Sequence, residues 1–142
     1  MKVIAKNRRT RFDYDIDETL ISGVVLAGSE VKSIKNGQVS LQGSYVIIKN
    51  AEAFLVGAHV SAYKQALEAP EETRDRKLLL HKKEIDFLVG KKQSGYSIVP
   101  LAIGLERGLI KLEIGVGRGL KKYDKREAIK KREMKREAKR TR

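Results

Sequence analysis

The chain contains no cysteine and no tryptophan among 142 residues, and only two histidines and two prolines. Without cysteine a disulfide framework, a zinc ribbon and a thiol nucleophile are excluded, and a reducing compartment is compatible. No segment approaches the roughly 20 apolar residues that a membrane helix requires. The start, Met1-Lys2-Val3-Ile4-Ala5-Lys6, has too short an apolar stretch for a signal peptide. The expectation is a soluble, cytoplasmic protein with no membrane partner. Aromatic residues are sparse at 6%, and Phe12, Tyr14, Tyr45, Phe54, Tyr63, Phe87, Tyr96 and Tyr123 are spread along the chain, which does not suit a base-stacking sheet of the RRM kind.

What is abundant is positive charge. Thirty-one Lys and Arg face 18 Asp and Glu, for a formal net charge of +13, and such a surplus calls for a polyanionic partner. It is unevenly placed. Residues 118–142 hold 13 basic and 4 acidic residues, a net +9, which leaves +4 for everything before them. Three regions follow: a basic N-terminal arm over 1–12 (Lys2, Lys6, Arg8, Arg9, Arg11), a body over 13–117, and a basic C-terminal tail over 118–142.

The body has room for a single core. Apolar alternation from Tyr14 through Ile16, Leu20, Val24 and Leu26 predicts a strand bent at Gly23, with Asp13, Asp15 and Asp17 on its other side. Ser29 is placed as the N-cap of a short helix to Lys35, ended by Asn36-Gly37. Strands are expected over 44–49 and 53–60 around the loop Asn50-Ala51-Glu52, followed by a loop over 61–75 that contains Pro70. From Asp75 as N-cap a helix is expected to Val89, with Leu78, Ile85, Leu88 and Val89 as its apolar stripe and Gly90 closing it. A hairpin of strands 96–105 and 109–116, joined by Glu106-Arg107-Gly108, completes the set. Short strands with few helices predict a mainly β fold with flanking helices, best matched by a small OB-like antiparallel barrel. The tail has good helix formers but no stripe to dock, and its Lys and Arg repel at i,i+4. It is therefore expected to be disordered when free and helical once phosphates neutralise it.

Catalytic constellations are weak. His59 falls on an expected strand and His81 inside an expected helix, and a lone histidine is more often structural. The Asp13, Asp15, Asp17 row resembles a calcium loop, but Glu18 stands where glycine is needed and Val24 where glutamate is. Gly115-x-Gly-x-Gly119 lacks the βαβ context of a dinucleotide site, and a flexible joint between body and tail explains it instead. Tyr123, set among charges, could stack on a base or anchor the tail. Neither metal nor cofactor is indicated.

Taken together, Asn7-Arg8-Arg9-Thr10-Arg11-Phe12-Asp13-Tyr14, Gly28-Ser29-Glu30-Val31-Lys32-Ser33-Ile34-Lys35, Gly43-Ser44-Tyr45-Val46, Glu52-Ala53-Phe54, Thr73-Arg74-Asp75-Arg76-Lys77-Leu78-Leu79-Leu80 and Gly115-Val116-Gly117-Arg118-Gly119 leading to Asp124-Lys125-Arg126 resemble the SmpB family, the SsrA (tmRNA)-binding proteins of bacterial trans-translation. The resemblance implies an oligonucleotide-binding barrel and a non-enzymatic adaptor. Such an adaptor binds the tRNA-like domain of tmRNA, supports its alanylation by alanyl-tRNA synthetase, and accompanies it with elongation factor Tu to stalled ribosomes. Carried over by motif, Asn7, Arg8, Arg11, Glu30, Val31, Lys32, Arg76 and Lys77 fall in the tmRNA-binding body. Tyr123, Asp124, Lys125 and Arg126, with Lys130, Lys131 and Arg132 beyond, fall in the tail that enters the decoding centre and mRNA channel of the small subunit. Glu30 has a second reading as a helix cap or a partner of a nearby arginine, and Lys32 and Lys77 are expected on phosphates. Two departures stand out: Ile21 replaces a usually acidic residue, and Tyr123 a frequent histidine. The competing readings are a structural rRNA-binding or RNA-chaperone protein with a basic tail, and an enzyme acting on RNA, which lacks a plausible acid–base or metal constellation.

Overall fold

The computed structural model describes residues 1–62 and 70–120. The expectations for residues 63–69 of the 61–75 loop, Tyr63 among them, and for the tail from Lys121 onward lie outside the described residues.

In chain order the elements are β1 (Lys2–Lys6), α1 (Thr10–Asp13), β2 (Tyr14–Val24), α2 (Gly28–Lys35), β3 (Val39–Ser40), β4 (Tyr45–Lys49), β5 (Glu52–Val56), β6 (His59–Val60), β7 (Arg76–Leu79), α3 (Lys82–Gln93), β8 (Ser97–Glu106) and β9 (Leu109–Gly119). Seven strands form one antiparallel sheet in the order β1-β8-β9-β2-β7-β5-β4, and β3 pairs with β6 in a small second sheet. β4 also packs against β8 near the other end of that order, so the sheet curls towards closure. The small-barrel expectation holds. Curling leaves short edges, and β4, at one of them, ends in a tight turn.

Period-2 alternation sets the inside. In β9, Ile110, Leu112, Ile114 and Val116 point into the core, where Leu112, Ile114 and Val116 are wholly buried. Leu55, Leu78, Leu88 and Ile103 meet them there, and Ile34 of α2 closes one side. The two tight hairpins use left-handed residues at both central positions: Asn50 and Ala51 with φ of 53° and 59°, and Arg107 and Gly108 with 51° and 79°. This is the twist-matched geometry for adjacent antiparallel strands. Glu52 is therefore paired with Lys49 in the ladder, outside the loop.

Several boundaries differ from expectation. The first residues, read as an arm with little to bury, form β1 and pair with β8. Residues 53–60 break into β5 and β6 at Gly57, whose φ is 82°. The segment Arg76–Leu79, expected in a helix, is β7, bonded to β5 and β2. Its alternation of buried Arg76 and Leu78 with exposed Lys77 and Leu79 is that of a strand. The helix begins only after His81 and runs through Gly90 to Gln93. α2 likewise starts after Ala27, with Ser29 inside it. In both helices the glutamate at the third position accepts the cap residue's N–H: Glu30 from Ala27 and Glu84 from His81, each at 2.9 Å. That half of a capping box tolerates any cap side chain.

The glycines of 115–119 are strand residues and do not form a joint. A Cβ on Gly117 would stand 2.1 Å from the carbonyl oxygen of Asp15, and one on Gly115 2.8 Å from Leu101. Gly117 sits beside the irregularity in the β2–β9 register between Ile16 and Glu18, where the two backbones close in. Replacing Gly117 with Ala should therefore force β9 away from β2 and cost about 2 kcal/mol or more. Gly90→Ala, with open space around it in the middle of α3, should gain about 0.5–1 kcal/mol. Urea unfolding of the two variants checks the contrast, and equal effects would contradict this packing.

Candidate nucleic-acid interface

Arg76 is 1% exposed and Glu30 4%. A buried guanidinium is tolerable only if its charge is matched and every N–H is bonded. Both conditions are met. Nε and Nη2 donate to Glu30 Oε2 at 2.9 and 2.7 Å, Nη1 to the carbonyls of Ala58 and Arg74 at 2.9 and 3.0 Å, and Nη2 also to that of Glu72 at 3.0 Å. All five donors are used. Arg74, partly exposed, adds a second cation, bonding Oε2 through Nε at 3.1 Å and Oε1 through Nη2. Burial pushes the Glu30 carboxyl up. The hydrogen bonds from Arg74, the Ala27 N–H and Arg76, with the charge of Arg76, outweigh this and hold it below its ordinary value.

Glu30 and Arg76, expected among the RNA contacts, are therefore inside, with no free donor, and their geometry positions other groups. Asn7 is buried too. Its N–H donates to the Leu101 carbonyl at 2.7 Å and its Nδ2 to that of Pro100 at 3.1 Å. Pro100 sits at a bulge of β8, where its missing N–H is harmless. Val31 packs against the core. In each case a residue type that suits RNA on paper is consumed by the fold.

The exposed residues of the expected set lie around these anchors. Asn7 fixes the exit of β1, so Arg8 and Arg9 stand in solvent beside a groove of about 330 Å³ that runs from Ala5 to Arg9 on one wall and from Val39 to Gln42 on the other. Arg11 is exposed and within 3.7 Å of Glu113. Lys32 projects from α2. Lys77 is on the outer face of β7, 3.4 Å from Glu52. That outer face carries further exposed residues beyond the expected set. Leu79 and Lys111 flank Gly23 in register, and Ile21 is next but one along β2; Ile21 and Leu79 are 41% and 57% exposed. Ile21 and Leu79 thus form an open apolar strip edged by Lys77, Lys111 and Glu113, the kind of exposed patch that marks an interaction surface. Period-2 alternation through 76–79 was the available signal for it.

Among the described residues no helix is long and apolar enough to cross a membrane. The described residues thus form a curled antiparallel barrel with a cation fixed in its interior, in the class of small RNA-binding β proteins. Residues 4–142 match the SmpB protein family. The chain is 50% identical over 141 residues to the SsrA-binding protein of Shouchella clausii, covering 98% of this chain and 90% of that one. It is also 50% identical over 142 residues to that of Rubrobacter xylanophilus, with 99% and 95% covered. A chain of the solved structure "tmRNA-SmpB: a journey to the center of the bacterial ribosome" superimposes with a TM-score of 0.67 at 40% identity, over 88% of this chain and 93% of that chain. This chain belongs to the SmpB family.

Because the folded Glu30 carboxyl titrates below its unfolded value, its stabilisation is complete above the ordinary carboxylate pKa and is lost as pH falls through the lowered one. Glu30→Gln, which leaves Arg76 charged and buried, should lower stability at pH 7 by about 3–5 kcal/mol. Its unfolding free energy should also vary less with pH through the acid range than that of the parent. Denaturant unfolding at several pH values reads both, and a parent-like stability at pH 7 would overturn the assignment.

Proposed function

We propose that this chain is the protein adaptor of trans-translation: it binds the tRNA-like domain of tmRNA and brings it to ribosomes stalled without a usable codon. The supporting observation is the family membership over nearly the whole chain, together with a body whose exposed cations are held on a rigid barrel by the Glu30–Arg76 core. A fixed barrel can recognise folded RNA by shape and placed phosphate contacts. We assign that contact to Arg8, Arg11, Lys32 and Lys77, with Asn7, Glu30, Val31 and Arg76 holding them in place. The basic segment 118–142, through Tyr123, Asp124, Lys125, Arg126, Lys130, Lys131 and Arg132, is assigned to the small-subunit decoding centre and mRNA channel. The role is non-enzymatic and cytoplasmic. Elongation factor Tu and alanyl-tRNA synthetase meet the protein through the RNA that it carries.

Titration of the labelled tRNA-like domain against excess unrelated tRNA tests the reading, and equal displacement by both would sink it. Truncation after Gly119 should leave binding to the tRNA-like domain within a few-fold of the full chain while abolishing peptide tagging on stalled ribosomes. Tagging that survives the truncation would refute the division between body and tail.

A further inference from the structure

Tyr96 stands between the end of α3 and the start of β8, outside every role described so far. Lys91 Nζ lies 4.7 Å from the centroid of its ring and the Arg118 guanidinium carbon 4.6 Å. Arg118 Nη2 also donates to Tyr96 Oη at 3.3 Å. Lys91 is in addition 5.7 Å from the Phe87 centroid. The sheet brings these together: Gly117 of β9 is opposite Ser97 of β8, so the next residue, Arg118, falls beside Tyr96.

The charge balance here is unusual. Asp15 of β2 is the direct cross-strand neighbour of Arg118, yet the guanidinium lies on the ring. Among the described residues neither Arg118 nor Lys91 forms an ion pair with a carboxylate. The carbonyl end of α3 accounts for a lysine in its last turn, but not for the arginine from β9. Two cations gathered on one aromatic ring, with no carboxylate partner among the described residues, form a preorganised anion site.

We propose that Lys91, Tyr96 and Arg118 form a clamp for the phosphodiester backbone of an RNA strand. The two cations meet phosphate oxygens, and the Tyr96 hydroxyl, which accepts from Arg118, has its own proton left to donate. RNA is the fitting occupant because Arg118 opens the 13-cation segment that runs to Arg142, so one polyanion can pass from the clamp onto that segment. The inference rests on the RNA-binding reading above and adds to it a site at the junction of body and tail, where Arg118 of a family motif joins Lys91 and Tyr96, which no motif contains.

The test uses the full chain and a 20-nucleotide single-stranded oligouridylate, with affinity measured by fluorescence anisotropy across a KCl series. Each phosphate contact contributes about 0.7 to the slope of log affinity against log salt on single strands. Lys91→Gln and Arg118→Gln should each lower the slope by about that amount, and the double variant by about twice as much. Lys92→Gln, one exposed residue away, should leave it unchanged. Tyr96→Phe, which keeps the ring, should hold the slope and weaken binding by no more than about threefold, whereas Tyr96→Leu should lose about as much slope as one cation. Parent-like slopes in the folded Lys91 and Arg118 variants would overturn the clamp, as would an equal drop in Lys92→Gln. So would weakened binding of a polyglutamate probe with the RNA slope intact. Failure of the adaptor reading would appear separately, as loss of preference for the tRNA-like domain with these slopes unaffected.

Discussion

A guanidinium with 1% of its surface exposed is the constraint around which the rest of the body is arranged. Removing such a charge from water costs several kcal/mol unless a counter-charge and a full set of acceptors are built around it. Here the acceptors come from Glu30 of α2, from the carbonyls of Ala58, Glu72 and Arg74, and from no solvent. These groups belong to segments far apart in sequence. Misplacing any one of them would orphan a buried donor, so the network fixes the seating of α2 against β7 and of the chain entering β7. Apolar packing alone would tolerate more variation in that seating.

The same demand decides what faces outward. With Arg76 and Leu78 turned in, alternation turns Lys77 and Leu79 out, beside Ile21 and Lys111. The buried charge is thus coupled to the surface that can meet RNA. Asn7 does the equivalent at the other side of the barrel. By spending both its amide groups on the Leu101 and Pro100 carbonyls it ends β1 at a set point and leaves Arg8 and Arg9 in solvent. In both places a polar residue that could itself touch nucleic acid serves better as the fixture that orients its neighbours, because contacts on a rigid scaffold lose less freedom on binding.

Close backbone approach is the second device. Gly117 against Asp15 and Gly104 against Lys2, where a Cβ would lie 2.1 and 2.2 Å from the facing carbonyls, both sit beside register irregularities of the sheet. They let long strands bend sharply enough for the sheet to curl. A glycine run that reads as a hinge in one dimension is a tight seam in three. β9 stays in the ladder to Gly119, beside Tyr96 and Arg118.

Much of this was legible in the chain itself. The β8–β9 hairpin and the inward face of β9 follow from strict alternation, and β4–β5 from β-branched runs around Asn50-Ala51. The division of charge between body and tail, and the family motifs, need only residue identities. These are local properties, since a period of two or a cluster of lysines requires no knowledge of what packs against it. The errors share one cause. Leu78, Ile85 and Leu88 have helical spacing, yet the partners of 76–79, β5 and β2, lie 20 or more positions upstream and impose a strand. β1 carries little to bury and is ordered by the open edge of β8. Glu30, Arg76 and Asn7 have side chains equally able to bind a phosphate, a base or the protein's own backbone. The sequence by itself determined the class of fold, the sign and placement of the charge and the family. Only the tertiary structure decided which polar residues are buried fixtures and which stand exposed, because burial and hydrogen-bond completion depend on segments that meet only when the chain has folded.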